Sequence, residues 1–231
     1  MLKKILLFSL LVSFSANSFS GEQINNNKWN VKIEKGEIAG LFAKGEAIAD
    51  ILGSFRVAGK KEIRQFSEVS TLREKKENQF IYEGISDDGD FLYAEFGEVI
   101  AVDKKTFDFM LYTAWLPPSP MPPDAVEGIL KFGKDVEVVK RIELSPEKTL
   151  PPNTLAYEIT MKSGTKLNLK IIGLDKSKTV LAKEAPSFVI NFRGASDYVK
   201  EPRNENQRTL SYWISSTDTH YMRFIFSLED N

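Results

Sequence analysis

The chain has 231 residues, with 31 basic and 32 acidic side chains, one histidine and no cysteine. Because a nucleic-acid partner requires a clustered basic surface, this near balance of charge argues against one. The lack of cysteine excludes disulfides and lipidation of a cysteine behind a signal peptide. One histidine also falls short of the ligands that catalytic zinc usually recruits. We therefore predict no metal and no cofactor.

The N-terminus has the pattern of an export signal. Lys3 and Lys4 precede an apolar run over residues 5–12, and small and polar residues follow up to Ser20. The run is shorter than the roughly 20 apolar residues that a membrane-spanning helix needs. We expect cleavage near Ser20, a periplasmic or secreted location, and no transmembrane span in the mature chain, which would carry 29 basic and 32 acidic residues.

Residues 21–28 are polar and rich in asparagine, which predicts a flexible lead-in. Residues 29–231 are expected to form a single β-rich domain. Between residues 37 and 53 the apolar pattern fits either a helix or strands, and the question stays open. The repeated glycines favour strands, because each glycine weakens a helix by about 1 kcal/mol.

Alternating apolar residues predict three hairpins, each with a three-residue loop. The first loop is predicted at residues 87–89, which sets Phe80 opposite Phe96. The second is predicted at residues 162–164, which sets Ile159 opposite Leu167. The third, at residues 217–219, would set the strand containing Tyr212 and Trp213 against the strand containing Tyr221 and Phe224.

Further strands are predicted at residues 98–102, 107–115, 136–144, 179–183 and 187–193. Prolines at 117–123 predict an extended connector, because proline cannot pair in a sheet interior. Asp124 and Glu127 form a capping-box pattern, which predicts one short helix near residues 124–132. The fold class is therefore mainly β: an antiparallel sheet forming a barrel, half-open barrel or sandwich.

No sequence motif indicates a specific reaction. His220 is the only histidine, and its place after a hairpin loop is typical of a rim residue rather than of a catalytic triad. Two carboxylates, Glu83 and Glu95, are predicted to lie diagonally on one face of the first hairpin, about 7–8 Å apart. They are the candidate catalytic residues, since glycoside hydrolysis needs only two carboxylates.

The terminal hairpin carries aromatic residues on both of its faces. We interpret one face as the wall of a ligand cavity and a neighbouring strand as a second wall. The candidate ligand-binding residues are Tyr212, Trp213, Tyr221, Arg223, Phe224, Phe107, Phe109 and Trp115.

These features predict an exported protein that binds an apolar or amphipathic ligand, such as a lipid, or a cell-envelope protein without catalysis. The first alternative is a protein–protein inhibitor or assembly module that uses the proline connector. The second alternative is a two-carboxylate hydrolase, so an enzymatic role stays open.

Overall fold

The computed structural model describes residues 21–58, 63–65, 70–87, 93–115, 126–144, 153–174, 176, 178–184, 187–193 and 219–229. These residues form sixteen β-strands, numbered in chain order, and every strand pair is antiparallel. They contain no helix, and therefore none that could span a membrane.

The strands are divided between two eight-stranded sheets. The first sheet contains, in spatial order, β1 (Glu22–Asn25), β2 (Trp29–Glu34), β3 (Glu37–Ala43), β4 (Glu46–Ala58), β10 (Val126–Phe132), β15 (Ser187–Arg193) and β14 (Val180–Glu184), with β5 (Ile63–Gln65) paired to β4. The second sheet contains β11 (Val136–Ile142), β12 (Leu155–Met161), β13 (Lys166–Ile172), β16 (Thr219–Leu228), β9 (Thr106–Trp115), β8 (Tyr93–Val102), β7 (Gln79–Asp87) and β6 (Ser70–Lys76).

The two sheets pack face to face as a sandwich around one apolar core. Trp29 of the first sheet contacts Phe107 of the second, with ring centroids 6.2 Å apart. Phe192 of the first sheet contacts Phe224 of the second at 4.9 Å. All four side chains are buried. Tilted aromatic pairs of this kind add about 0.5–1.5 kcal/mol beyond the area that they bury.

Polar contacts join the sheets at their margins. Lys75 of β6 forms an ion pair with Glu22 of β1, so two edge strands are linked. Asp135, in the turn between β10 and β11, accepts a hydrogen bond from the Ala47 amide at 2.9 Å, while its own carbonyl accepts one from the Lys162 amide at 2.8 Å. This turn carries the chain from the first sheet to the second.

The predicted fold class is confirmed, and the sandwich is the form that occurs. The five further strands were also correctly located, because β8, β9, β11, β14 and β15 overlap them. The second hairpin has the predicted register, with Ile159 opposite Leu167.

Residues 37–53, for which the sequence left helix and strand undecided, form strands. The chain reverses through two-residue turns at Lys35 and Gly36 and at Lys44 and Gly45, and all four residues have positive φ. Such turns match the twist of paired strands, which explains the spacing of these glycines. Residues 21–28 contain the paired strand β1 instead of a flexible lead-in, because Ile24 is buried in the core.

The predicted helix near residues 124–132 is wrong. Residues 126–132 form β10, which lies between β4 and β15 in the first sheet. Leu130 and Phe132 are buried two residues apart, the period of a strand. Pairing on both sides therefore overrides the local capping pattern of Asp124 and Glu127.

The register of the first hairpin is also wrong. Phe80 lies opposite Ile100 instead of Phe96, and Asp87 lies opposite Tyr93, so the connection is longer than three residues. Because the register differs by an even number of residues, each side keeps its predicted face. The third hairpin's first strand and loop, the connector at 117–123 and the signal at 1–20 lie outside the described residues.

Candidate functional site

The central strands β9 and β16 present different chemistry on their two faces. Phe107 and Phe109 of β9 and Phe224 of β16 are buried in the core between the sheets. Asp108 and Arg223 alternate with them and lie on the opposite side, which we call the outer face of the second sheet. Alternation of successive residues in a strand produces this division.

Asp108 and Arg223 form a two-pronged ion pair. Arg223 Nε lies 2.9 Å from Asp108 Oδ1 and 3.1 Å from Oδ2, and Arg223 Nη2 lies 2.5 Å from Oδ2. The two side chains are 26% and 27% exposed, so the pair is partly shielded from water but still accessible. Such geometry fixes the guanidinium and the carboxylate in one orientation.

The surroundings of the Asp108/Arg223 pair change in polarity along the strands. In the register, Arg223 lies in a row with Ile172 and Met110. Both of these apolar neighbours are buried although they belong to the outer face. Toward the other end of the strands, Ser227 lies opposite Asn168 and Thr106, and all three are half-buried. The pair therefore stands where a buried apolar row meets a polar row.

A second ion pair lies near the edge of the same face. Arg73 Nε is 2.8 Å from Glu83 Oε2. Arg73 lies in a bulge of β6 between Leu72 and Glu74, and a bulge of this type redirects a side chain out of the regular ladder. Gly97 lies opposite Glu83 on β8, so no side chain occupies that position.

The predicted carboxylate pair keeps its diagonal relation in the corrected register. Glu83 is opposite Gly97, and Glu95 is two residues from Gly97 along β8, opposite Ile85. Positions 83 and 95 are therefore diagonal neighbours, as the sequence predicted, although with different partners. Glu83 is half-buried and engaged by Arg73.

The strand ends that the long connections join lie at one end of the second sheet. At this end the chain passes from β7 to β8, from β9 to β10, from β11 to β12 and from β15 to β16. At the other end, short turns join β6 to β7, β8 to β9 and β12 to β13. The end of a rigid sheet at which several connections begin is a common place for binding sites.

The aromatic residues predicted to bind a ligand are divided by the fold. Phe107, Phe109 and Phe224 are core residues with no exposed surface. Tyr221 lies opposite Tyr112, and Trp115 opposite Ala94, in the pairing of β9 with its neighbours. Tyr212 and Trp213 lie outside the described residues. Arg223 is the member of the predicted set that the structure places with a charged partner on the outer face.

Asp108 was not among the residues that the sequence singled out. An acid between two phenylalanines in a strand was a usable signal, because alternation must place it on the face opposite the core. Its pairing with Arg223 depends on β9 lying beside β16, which are separated by more than 100 residues. His220 lies opposite Thr113 in the same pairing.

Four charged residues of this face form two ion pairs. Asp108 neutralises Arg223, and Glu83 lies against Arg73. Within the described ranges, no group of three or more acidic or histidine side chains could hold a metal ion. Each of these two pairs therefore presents hydrogen-bond donors and acceptors side by side.

The comparison with solved structures identifies the architecture. The chain matches a proposed aldose 1-epimerase from Escherichia coli K12 with a TM-score of 0.58 and 8% identity, over 91% of this chain and 99% of the other. It matches a galactose mutarotase-like protein from Lactobacillus casei ATCC 334 with a TM-score of 0.54 and 11% identity, over 90% of this chain and 100% of the other. This chain has the galactose mutarotase-like sandwich fold.

A third match with this fold is a galactose mutarotase related enzyme from Lactobacillus acidophilus, with a TM-score of 0.50 and 10% identity, over 91% of this chain and 97% of the other. No protein-family model matches the chain, and no curated protein resembles it significantly in sequence.

These matches correct the functional expectation drawn from the sequence. Non-catalytic binding of an apolar ligand or of an envelope partner is contradicted, since the structural neighbours belong to a carbohydrate-processing enzyme fold. The expectation failed because it assigned the aromatic residues to a cavity wall. Three of them instead fill the space between the two sheets.

Proposed function

We propose that this protein binds and processes a neutral carbohydrate on the outer face of its second sheet. The observation that carries the proposal is the Asp108/Arg223 pair, about a quarter exposed, on the face opposite the core. The fold of the structural neighbours is an analogy that supports the same class of substrate, because one fold can serve many functions.

The Asp108/Arg223 pair suits the hydroxyl groups of a sugar. A carboxylate accepts hydrogen bonds and a guanidinium donates them, so adjacent hydroxyls can each find a partner. The pair is held rigid by its own contacts, and rigid polar groups lose less entropy when they bind. Its neighbours Met110 and Ile172 are buried, and an environment of low polarity strengthens hydrogen bonds.

The reaction class that we propose is the interconversion of aldose anomers. This reaction needs only proton transfer at the anomeric hydroxyl and at the ring oxygen, which side-chain acids and bases can perform without a cofactor. Asp108 is the carboxylate that we assign to accept the proton of the anomeric hydroxyl, while water, which reaches the partly exposed pair, donates a proton to the ring oxygen. Arg223 is assigned to hold the sugar. Glu83 and Glu95 are the further candidates on this face.

The test is to follow the approach to anomeric equilibrium of freshly dissolved α-D-glucose and α-D-galactose by polarimetry. Purified protein should accelerate it, Asp108→Asn should lower kcat at least about tenfold, and Arg223→Lys should mainly raise KM. Asp50→Asn, which changes an exposed acid of the first sheet, is the matched control and should have no effect. The proposal fails if no sugar is bound or converted.

We also propose that this activity lies outside the cytoplasm, on the evidence of the charged and apolar pattern of residues 1–20. Fractionation of cells that express the full chain should recover a shortened protein in the periplasm or medium. N-terminal sequencing should then start at Gly21. Recovery of the full-length chain in the cytoplasm would contradict this.

A further inference from the structure

We infer that the outer face of the first sheet, the side turned away from the core, carries a second binding site, for a neutral saccharide. The site consists of the ring of Phe42 on β3 and of amide side chains on β1 and β2. It lies on the opposite side of the sandwich from the Asp108/Arg223 pair, so it goes beyond the proposed function and does not rest on it. It binds a sugar and takes no part in proton transfer.

Phe42 differs from the other aromatic side chains that the structure describes. Its neighbours Leu41 and Ala43 are buried in the core, so the alternation of the strand places Phe42 on the outer face. There it lies opposite Asn30 of β2 and is half-buried. Every other described aromatic side chain is buried, except that of Phe188, which packs against the core. Among the described rings, that of Phe42 is therefore the one that lies outside the core.

The ring of Phe42 extends over Gly40, two positions earlier on the same face of β3. A Cβ atom at Gly40 would stand 3.0 Å from Cε2 of Phe42 and 3.6 Å from Cδ of Lys32. Gly40 is buried although it belongs to the outer face, because the ring and the lysine stem cover it. The lack of a side chain at Gly40 therefore lets the ring lie along the sheet instead of standing out into solvent.

The residues beside Phe42 on the neighbouring strands are amides. Gln23 and Asn25 of β1 alternate with the buried Ile24, and Asn25 lies opposite Asn30, so the three amides share the outer face. Gln23 Nε2 donates a hydrogen bond to Asn30 Oδ1 at 3.0 Å. Gln23 Oε1 and Asn30 Nδ2 make no further hydrogen bond with the residues that the structure describes. An acceptor and a donor are therefore left for a ligand beside the ring.

A sugar ring matches the two kinds of surface that this patch presents. The C–H groups of a pyranose are polarised by the neighbouring oxygens and are attracted to the negative face of an aromatic ring. Its hydroxyl groups donate and accept hydrogen bonds, and an amide side chain offers both functions. Amides carry no charge, so they lack the strong charge-assisted hydrogen bonds that select phosphate or carboxylate groups. A neutral saccharide therefore fits the patch better than an anion.

Lys32 completes the patch. It lies opposite Gln23 on one side and opposite Gly40 on the other. Its Nζ stands 5.4 Å from the centroid of the Phe42 ring, farther than the roughly 3.5–4.0 Å of direct contact between carbon atoms. Because a lysine stem is flexible, the ammonium group can move aside and donate to a hydroxyl of the bound sugar.

The experiment measures, by calorimetry, the affinity of the full chain for linear hexasaccharides of α-1,4-linked glucose, β-1,4-linked glucose and β-1,4-linked N-acetylglucosamine. We expect at least one of them to bind. For the one bound most tightly, Phe42→Leu should lower the affinity at least about tenfold, because leucine is apolar but has no aromatic face. Phe42→Trp should keep or raise the affinity, and Asn30→Ala should lower it severalfold. Thermal melts verify that each variant is folded.

The matched control is Phe188→Leu. Phe188 is also a half-buried ring of the first sheet, and Lys183 Nζ lies 5.4 Å from its centroid, the distance found at Lys32 and Phe42. Because the ring of Phe188 packs against the core, this variant should keep the full affinity. An equal loss in Phe188→Leu would indicate a general effect on the sheet and overturn the inference.

The remaining outcomes are also decisive. Full affinity in Phe42→Leu, or absence of binding to all three saccharides, would overturn the inference. Tighter binding of an anionic probe, hexagalacturonate, that also depends on Phe42 would overturn its neutral substrate class.

A second background separates this site from the proposed function. The difference in affinity between the unchanged protein and Phe42→Leu should be the same when both carry Asp108→Asn, because distant, independent sites are additive. A difference that disappears in this background would place the bound sugar at Asp108 and overturn the inference. If the unchanged protein does not accelerate the interconversion of anomers, the proposed function alone fails, and the Phe42-dependent difference still tests the second site.

Discussion

The two faces of the central strands β9 and β16 differ in burial and in charge. On the inner face of β9 and β16, Phe107, Phe109 and Phe224 are wholly buried. On the outer face, Asp108 and Arg223 alternate with them and keep about a quarter of their surface exposed. The comparison shows that one pair of strands can supply both the core and the candidate site, because alternate residues point to opposite sides.

The energetic roles of the faces should differ accordingly. Burial of apolar surface contributes about 25 cal/mol per Å², so the inner face should dominate stability. An ion pair that is partly in water contributes little, typically under about 1 kcal/mol, because water and salt screen it. The outer face should therefore govern binding and activity with small effects on folding.

The largest expected effect is on the inner face. Phe224→Ala should lower the free energy of unfolding by about 3–5 kcal/mol, because it leaves a cavity beside Phe109 and Phe192. Urea denaturation, monitored by fluorescence, measures this loss of unfolding free energy. Phe42→Ala, at a half-buried ring of the first sheet, is the control and should cost clearly less. Similar losses in both variants would undo the contrast between the faces.

The next effect concerns the outer face itself. Asp108→Asn should lower the free energy of unfolding by only about 1 kcal/mol, since the pair is a quarter exposed. A double-mutant cycle with Arg223→Met measures the coupling between the two side chains. A loss as large as that of Phe224→Ala would show that the pair is structural and would weaken its assignment to binding.

A pH effect is expected at the inner face. Burial raises the pKa of the Tyr157 hydroxyl above its ordinary value of 10.0, and the charge of Arg141 acts in the opposite direction. The unfolded chain therefore releases this proton first, so stability should fall as the pH rises above about 10. In Tyr157→Phe this alkaline loss should be smaller. Thermal melts at about pH 8, 10 and 11 measure it, and identical slopes in both proteins would contradict the prediction.

The smallest effect is expected at the turn between β8 and β9. Desolvation raises the pKa of Asp103, but hydrogen bonds from the Lys105 and Thr106 amides, at 2.6 and 2.7 Å, outweigh it, and the net pKa is lowered. This contribution is present above the ordinary value of 3.8 and is lost as the pH falls through the lowered pKa. Asp103→Ala should flatten the acid limb of the stability curve slightly, as melts at about pH 3 and 5 would show. An unchanged acid limb would count against the turn's role.

The sequence predicted much of the sheet but little of the site. Strands such as Lys166–Ile172 and Ser187–Arg193 were located from the pattern of their apolar residues. The helix predicted near residues 124–132 was wrong, because a capping pattern is local whereas the pairing of residues 126–132 with β4 and β15 is not. Glu83 and Arg223 were singled out, but their partners Arg73 and Asp108 were not.

The sequence by itself determined that the chain is a β protein, which positions alternate, and where Asp108 must face once its strand exists. These properties depend on the period of a strand, which neighbouring residues set. Only the tertiary structure decided that β9 lies beside β16, that Asp108 meets Arg223, and that the aromatic residues at 107, 109 and 224 face a second sheet. Such contacts join residues far apart in the chain, and the physical reason for them is the burial of one whole sheet face against another.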